Sequence, residues 1–161
     1  MRCNKSNISW LQHSKSHGKV GCRPSKSAKQ RFKAKLKMLT SRKRPGTFAE
    51  IIKKINQTTV GWINYYGIAN MKIFIKTIQE WLNHRLRQLI WKRWKKIKTK
   101  YAMLRKYGID HDDAMKLANT RKGYWRSSKN MIIHRAITKE RLTKWGLKDL
   151  TQLYESRYLK D

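Results

Sequence analysis

Apolar side chains recur every three or four residues along most of this chain, and almost no segment alternates like a strand. The longest such stripe runs from residue 71 to residue 89, and shorter ones cover residues 28–39 and 48–63. A spacing of three to four residues is typical of amphipathic helices. We therefore predict an all-α protein, built as a helical bundle followed by several short helices.

Capping signals set the boundaries of these helices. Ser25 is a plausible N-cap for the first helix, and Thr47 with Glu50 forms a capping box before the second. Residues 1–24 show no sustained period, so we predict an extended or disordered segment there, with at most a short strand around residues 19–23. Later helices are predicted from about residue 70 into the basic stretch 91–100, and at about 99–107, 110–119, 131–136, 138–145 and 149–158.

The charge of the chain indicates its class of partner. There are 40 Lys and Arg residues against 9 Asp and Glu, a net charge of +31, and the first carboxylate is Glu50. Such a density of positive charge repels itself unless a polyanion neutralises it, and 17 aromatic residues accompany it. Nucleic acid is the favoured partner, with an anionic membrane surface or a merely soluble chain as weaker alternatives.

Other broad classes fit less well. No apolar run approaches the roughly 18 residues that a membrane span needs, and no signal peptide opens the chain. Two cysteines without an obvious pairing pattern suit a reducing compartment. We therefore predict a cytoplasmic protein without a membrane partner.

Two clusters resemble metal sites but have simpler explanations. Asp110, Asp112 and Asp113 suit a helix N-terminus, where carboxylates meet the helix dipole and unpaired amides. His13 and His17 have zinc-finger spacing, yet Cys3 and Cys22 are isolated from each other. With no nucleophile motif and no glycine-rich phosphate loop, we predict no catalytic residue, no metal and no cofactor.

Three basic segments are predicted to contact RNA, because cations at helical spacing can reach successive phosphates while indoles stack on bases. Trp91 and Trp94 either stack on bases or belong to the core, whereas Trp81 is predicted to be a core residue. Trp125 either contacts RNA or anchors its loop. The predicted RNA-binding residues are Arg42, Lys43 and Arg44; Arg85, Arg87, Trp91, Lys92, Arg93, Trp94, Lys95 and Lys96; and Arg121, Lys122 and Arg126.

A known family shares these motifs. Gly-Trp-Ile-Asn-Tyr-Tyr at residues 61–66, Trp-Leu-Asn-His-Arg-Leu-Arg at 81–87 and Trp-Lys-Arg-Trp at 91–94 resemble the maturase-specific domain of bacterial group II intron reverse transcriptases/maturases. The likeness extends over about residues 18–159, and the segments at 104–108, 119–126 and 146–154 contribute to it.

The resemblance implies a fold and a partner. Residues 1–24 would be a remnant of the polymerase–thumb junction, 25–97 thumb-like helices with the start of the maturase domain, and 98–161 the remainder of that domain, called X. Thumb and domain X bind group II intron RNA and help it reach its splicing-competent fold. The polymerase palm of the family carries a Tyr/Phe-Ala-Asp-Asp turn, which these residues lack.

The chain therefore resembles a C-terminal part of a maturase, truncated near the polymerase–thumb boundary. We expect an RNA-binding maturase-type domain that is not an enzyme by itself. One alternative is a subunit of a split reverse transcriptase, with a separately encoded polymerase half as its partner. Another is a nonfunctional fragment that binds nucleic acid without specificity.

Overall fold

The computed structural model of the protein describes residues 11–16 and 19–158, with side chains from residue 23 onward. Its body is all-α, as predicted. The elements are β1 (Leu11–Ser16), β2 (Lys19–Pro24), α1 (Lys26–Leu39), α2 (Phe48–Tyr66), α3 (Lys72–Arg93), α4 (Ile97–Lys106), α5 (His111–Ala118), α6 (Tyr124–Ser127), α7 (Met131–Ala136), α8 (Lys139–Lys144) and α9 (Leu150–Tyr158).

The two strands form an antiparallel hairpin ahead of the helices. Their register pairs Leu11 with Pro24 and Ser16 with Lys19. The predicted strand around residues 19–23 is confirmed, but β1 was not predicted. Its side chains follow no apolar alternation, so backbone pairing with β2 defines the strand rather than a pattern in the sequence.

The predicted caps are present. The Ser25 hydroxyl accepts a hydrogen bond from the Ala28 amide at 3.2 Å and begins α1. Thr47 and Glu50 form the reciprocal capping box of α2. Gly108 and Gly146 have φ of +84° and +96°, a backbone region that favours glycine, and they follow α4 and α8.

Two boundaries differ from the prediction. Helix α3 was predicted to run into the basic stretch 91–100, with a separate helix from about residue 99. In the structure α3 already ends at Arg93 and α4 begins at Ile97, so the break between them falls a few residues earlier, after Trp94. On a straight helix Leu104 would lie about 15 Å beyond Trp94, whereas the break lets Leu104 reach the core, where it is fully buried. Residues 124–127, expected to be loop, form the single turn of α6.

The family-like motif at residues 61–66 is part of the packing. Trp62 stacks on Phe32 of α1, with ring centroids 4.4 Å apart and planes at 13°, and it also contacts Phe74 of α3. A Cβ built on Gly67 would lie 2.1 Å from the Tyr158 ring, so only glycine allows α9 to approach α2 this closely. The motif therefore joins α1, α2, α3 and α9.

The core is continuous along the chain. It includes side chains from α1 to α9, both before and after residue 97. Tyr154 of α9 donates its hydroxyl to the Ala69 carbonyl at 2.8 Å and accepts the Met71 amide at 3.3 Å, which fixes the start of α3. In the described part of the chain, no helix combines the length and the hydropathy needed to cross a membrane.

Candidate nucleic-acid interface

Arg85 of α3 braces the end of α1. Its Nε donates to the Thr40 hydroxyl at 3.0 Å, and its Nη2 donates to the carbonyls of Lys37 and Thr40 at 3.2 Å each. These carbonyls lie at the C-terminal end of α1, where the backbone carbonyls lack amide donors from a following helical turn. The Arg85 guanidinium therefore stabilises the fold and stands at the surface only in part.

The next basic residues of α3 are held in the same way. Arg87 is only 8% exposed, and its Nε donates to the Ile137 carbonyl at 2.8 Å. Lys92 donates to the Arg42 carbonyl at 3.0 Å, and Arg93 donates to the Gly46 carbonyl at 2.7 Å. The end of α3 thus binds the loop of residues 41–46, which we call the 41–46 loop.

The structure places both tryptophans of the α3 end in the core. Trp91 is 1% exposed and Trp94 is 8% exposed, and their rings contact each other edge to face with centroids 5.9 Å apart. Neither indole presents a free face on which a base can stack. Of the two hypotheses for these residues, core packing is the one observed, and Arg87, Trp91 and Trp94 leave the set of candidate RNA contacts.

The third basic segment, residues 120–126, is exposed. The side chains of Arg121, Lys122 and Arg126 all face solvent, and Trp125 is 40% exposed. The backbone of the segment is held by the buried Ser127, whose hydroxyl donates to the Lys122 carbonyl at 3.0 Å. It therefore has a defined conformation while its cations remain accessible.

The fold brings these segments together. The Arg42 guanidinium lies 5.6 Å from the centre of the Tyr124 ring, joining the 41–46 loop to α6. Lys92 and Arg93 bind the backbone of the same loop, at Arg42 and Gly46. Three more exposed lysines lie in these segments: Lys43 in the loop itself, and Lys95 and Lys96 in the link between α3 and α4. The end of α3 and the 120–126 segment, which are distant from each other in sequence, thus both contact the 41–46 loop.

Acidic side chains are missing from all three segments. Residues 23–49, 81–109 and 114–139 contain no Asp or Glu. The ion pairs between described residues involve Lys72, Arg135 and Lys139, and none of the predicted RNA-binding residues. We call the exposed and partly exposed cations of these three segments the basic surface: Arg42, Lys43, Arg44, Lys92, Arg93, Lys95, Lys96, Arg121, Lys122 and Arg126.

A groove beside the basic surface was not predicted. It has a volume of about 460 Å³ and lies between α1, α3 and α6, lined by Gln30, Lys33, Ala34, Lys37, Trp81, Arg85 and Trp125. We call it the Trp81–Trp125 groove. Trp81 contacts the core, as predicted, but it is only partly buried, and its remaining surface lines the groove. The signal in the sequence was Lys33 and Lys37, one helical turn apart on the basic face of α1.

His84 supports one wall of this groove. Its ring meets the Trp125 indole edge to face with centroids 3.9 Å apart, and its Nε2 lies 3.3 Å from the Ser128 hydroxyl. Burial, together with the charge of Lys129, lowers the pKa of His84 to about 4. At neutral pH this imidazole is therefore uncharged, and Trp125 rests on a neutral partner.

The acidic cluster at residues 110–113 caps a helix, as predicted. The Asp110 carboxylate accepts the Asp113 amide at 3.0 Å, and that hydrogen bond lowers the pKa of Asp110. Arg135 forms ion pairs with Asp110 and Asp113. Among the described residues, no group of three or more His, Cys, Asp or Glu side chains is placed to hold a metal ion.

The second hypothetical metal cluster stays untested. Cys3 and His17 lie outside the described residues, and for His13 and Cys22 only the backbone is described. Their backbones are paired across the hairpin.

Comparison with known families identifies the first part of the helical region. Residues 29–108 match the group II intron, maturase-specific domain. The matched segment covers α1 to α4, including the motif at residues 61–66 and the basic end of α3. A search of curated proteins gave no match. Through residues 29–108, the chain belongs to the group II intron maturase-specific domain family.

Proposed function

We propose that this chain binds group II intron RNA through the basic surface and assists the folding and splicing of that RNA. One observation supports the proposal above all others: three segments without carboxylates converge around the 41–46 loop. Phosphates that approach this surface meet cations from α3, the loop and the 120–126 segment at once. The membership of residues 29–108 in the maturase-specific family makes intron RNA the favoured polyanion.

The physical contribution to RNA folding is charge neutralisation on a fixed scaffold. Compact RNA brings phosphates from different strands close together, and their repulsion opposes folding. Cations held on separate elements of one rigid core can neutralise two strands at the same time. The bound protein would thereby stabilise the compact intron over its open forms, because it binds the compact form with more contacts.

The test compares two variants with the same change in net charge. In the first, Lys95, Lys96, Lys122 and Arg126 of the basic surface become Gln. In the control, Lys53, Lys54, Lys76 and Lys144, which are exposed outside the three segments, become Gln. Lys92 and Arg93 are left intact because their hydrogen bonds hold the 41–46 loop.

Affinity for a group II intron RNA is then measured over a range of salt concentrations. Each lost phosphate contact reduces the slope of log K against log salt by about 0.7–0.9, so the first variant should flatten it by about three units. The control should keep the wild-type slope, and both should keep the wild-type circular dichroism. Equal slopes for the two variants would mean that RNA binds elsewhere or without a defined surface, as a nonfunctional fragment would.

We propose further that this chain is cytoplasmic and that it has no polymerase activity alone. The carboxylates at positions 110, 112 and 113 lie at the N-terminus of α5, where Asp110 is the cap, and two of them pair with Arg135. Primer extension on an RNA template with Mg²⁺ tests this. Synthesis that disappears when Asp112 and Asp113 are changed to Asn would overturn it, and synthesis only after adding a separate polymerase half would support the split-enzyme alternative.

A further inference from the structure

The Trp81–Trp125 groove combines features that phosphate binding alone does not need. Two indoles, one from α3 and one from α6, line the same cleft of about 460 Å³. This volume lies within the range of clefts that bind small ligands, about 300–1,000 Å³. Trp125 is among the large apolar side chains that stay exposed in this structure, at 40%.

The indoles are held in place by the fold. The edge of the His84 ring meets Trp125, and the Ser128 hydroxyl donates to the Trp125 carbonyl at 2.9 Å. Trp81 belongs to α3 and packs against the core. Because both rings are positioned before any ligand arrives, a flat partner would stack on them at little entropic cost.

Cations surround the indoles. The ammonium of Lys33 lies 5.4 Å from the Trp81 ring centre, and that of Lys129 lies 5.8 Å from the Trp125 ring centre. Lys37 lines the groove beside Arg85, and none of the lining residues is acidic. A ligand that suits this groove has a planar aromatic part and a negative charge next to it, which is the chemistry of a nucleotide.

We propose that the Trp81–Trp125 groove binds an unpaired base of the RNA, with Lys33 and Lys37 contacting the adjoining phosphates. This inference rests on the proposed function and adds to it a class of substrate, since paired bases are stacked inside the helix and cannot enter the groove. Lys33 leaves the Trp81 ring for a phosphate, and the indole face it covered becomes available to the base. The groove thus selects bulges, loops and single strands over continuous duplex.

The test uses three RNA hairpins that differ at one position: one with a single bulged adenosine, one with an abasic bulge, and one fully paired. The full-length wild-type protein should bind the adenosine bulge about 5- to 150-fold more tightly than the abasic bulge, the range expected for one stacked base. Trp125→Ala should remove this preference. Trp125→Phe should retain part of it, and Met131→Ala, at an exposed position outside the groove, should retain all of it.

The preference is a ratio measured within each variant, so partial unfolding of a variant does not change it. A wild-type protein that binds the adenosine and abasic bulges equally, or a Trp125→Ala variant that keeps the preference, would overturn the proposal. Failure of the wild type to bind any hairpin or intron RNA at low salt would overturn the proposed function as well. Binding of intron RNA without a preference for the bulged base would overturn only the inference about the groove.

The phosphate contacts have their own test. Changing Lys33 and Lys37 to Gln should weaken both bulged hairpins equally and flatten their salt slopes by about 1.4–1.8 units. The matched control changes Lys53 and Lys76 to Gln, which removes the same two charges at exposed positions outside the groove, and it should alter neither the affinity nor the salt slope. An unchanged slope in the double variant would contradict the contacts assigned to the two lysines.

Discussion

The end of α3 and the 120–126 segment have similar residues and opposite environments. Both contain tryptophan among Lys and Arg. In α3, Trp91 and Trp94 are 1% and 8% exposed. The basic side chains of Arg85, Arg87, Lys92 and Arg93 each donate to a backbone carbonyl. In the second segment, Trp125 is 40% exposed and its neighbouring cations face solvent.

The difference follows from the length of the helix that carries each motif. Helix α3 has 22 residues, and other elements cover it on several sides, so even its polar side chains are enclosed. Helix α6 has four residues and lies on the outside of α3. The same residue types therefore build the core in one place and a candidate binding surface in the other. A basic-aromatic motif indicates RNA contact only where the fold leaves it exposed.

The largest contrast is expected between the two classes of tryptophan. Trp91→Ala should lower the free energy of unfolding by about 3–5 kcal/mol, because it leaves a large cavity in the core. Trp125→Ala should cost less, about 1–2 kcal/mol, since 40% of this residue is already exposed to water. Urea denaturation of both variants measures the difference. Equal losses of stability would contradict the division between core and surface.

A smaller contrast is expected between the two classes of arginine. Arg87→Met should cost about 1–3 kcal/mol, because the buried Ile137 carbonyl loses its hydrogen-bond donor. Arg126→Met is the matched control at an exposed position and should change stability by less than about 0.5 kcal/mol. The same denaturation experiment applies. An Arg87 variant as stable as the Arg126 variant would show that the buried hydrogen bond contributes nothing.

The burial of His84, together with the positive charge of Lys129, should make stability depend on pH. The pKa of His84 is about 4 in the folded chain, below its ordinary value of 6.5. As pH falls, the imidazole therefore binds a proton in the unfolded chain before it does so in the folded chain. The contribution of neutral His84 to the free energy of unfolding is fully present above pH 6.5 and is lost between pH 6.5 and 4. Because the ring is only partly buried, we discount the full effect for solvent screening and expect a loss of about 1–2 kcal/mol.

Denaturation at pH 7.5, 5.5 and 4.5 measures this loss. His84→Gln should flatten the dependence in that window. The remaining slope is assigned to His134, whose pKa burial also lowers. A wild-type protein equally stable across this range would contradict the assignment.

The smallest effect on stability is expected at the 120–126 segment. Changing Arg121, Lys122 and Arg126 to Gln should alter the free energy of unfolding by less than about 0.5 kcal/mol each. The same variant should flatten the salt slope of RNA binding by about 2–3 units. Arg85→Gln should do the reverse, lowering stability with little change in slope, because its guanidinium binds the end of α1. RNA-binding titrations measure the salt slope and denaturation measures the stability of both variants. Two variants with the same pattern of effects would contradict this contrast.

Local interactions explain why much of the fold was predictable. The Ser25 cap and the box of Thr47 with Glu50 are made by residues three apart, and they are present as predicted. Gly108 ends α4 for an equally local reason, its positive φ. The chain also has an excess of positive charge and contains no carboxylate side chain before Glu50, and both are properties of the sequence alone. The division of the chain at residue 97 and the RNA contacts themselves remain predictions.

Tertiary packing decided the rest. The apolar stripe of α3 predicted a helix with one buried side, but Gln79, Asn83 and Gln88 are buried as well, because neighbouring elements also cover the polar side of this helix. The break after Trp94 depends on the packing of Leu104 in the core. The Trp81–Trp125 groove depends on the meeting of α1, α3 and α6. The sequence by itself determined the helices, their caps and the sign of the partner's charge, since these depend on near neighbours and on composition. Which tryptophans and arginines remain exposed was decided by the tertiary structure, because burial depends on residues that are distant in sequence.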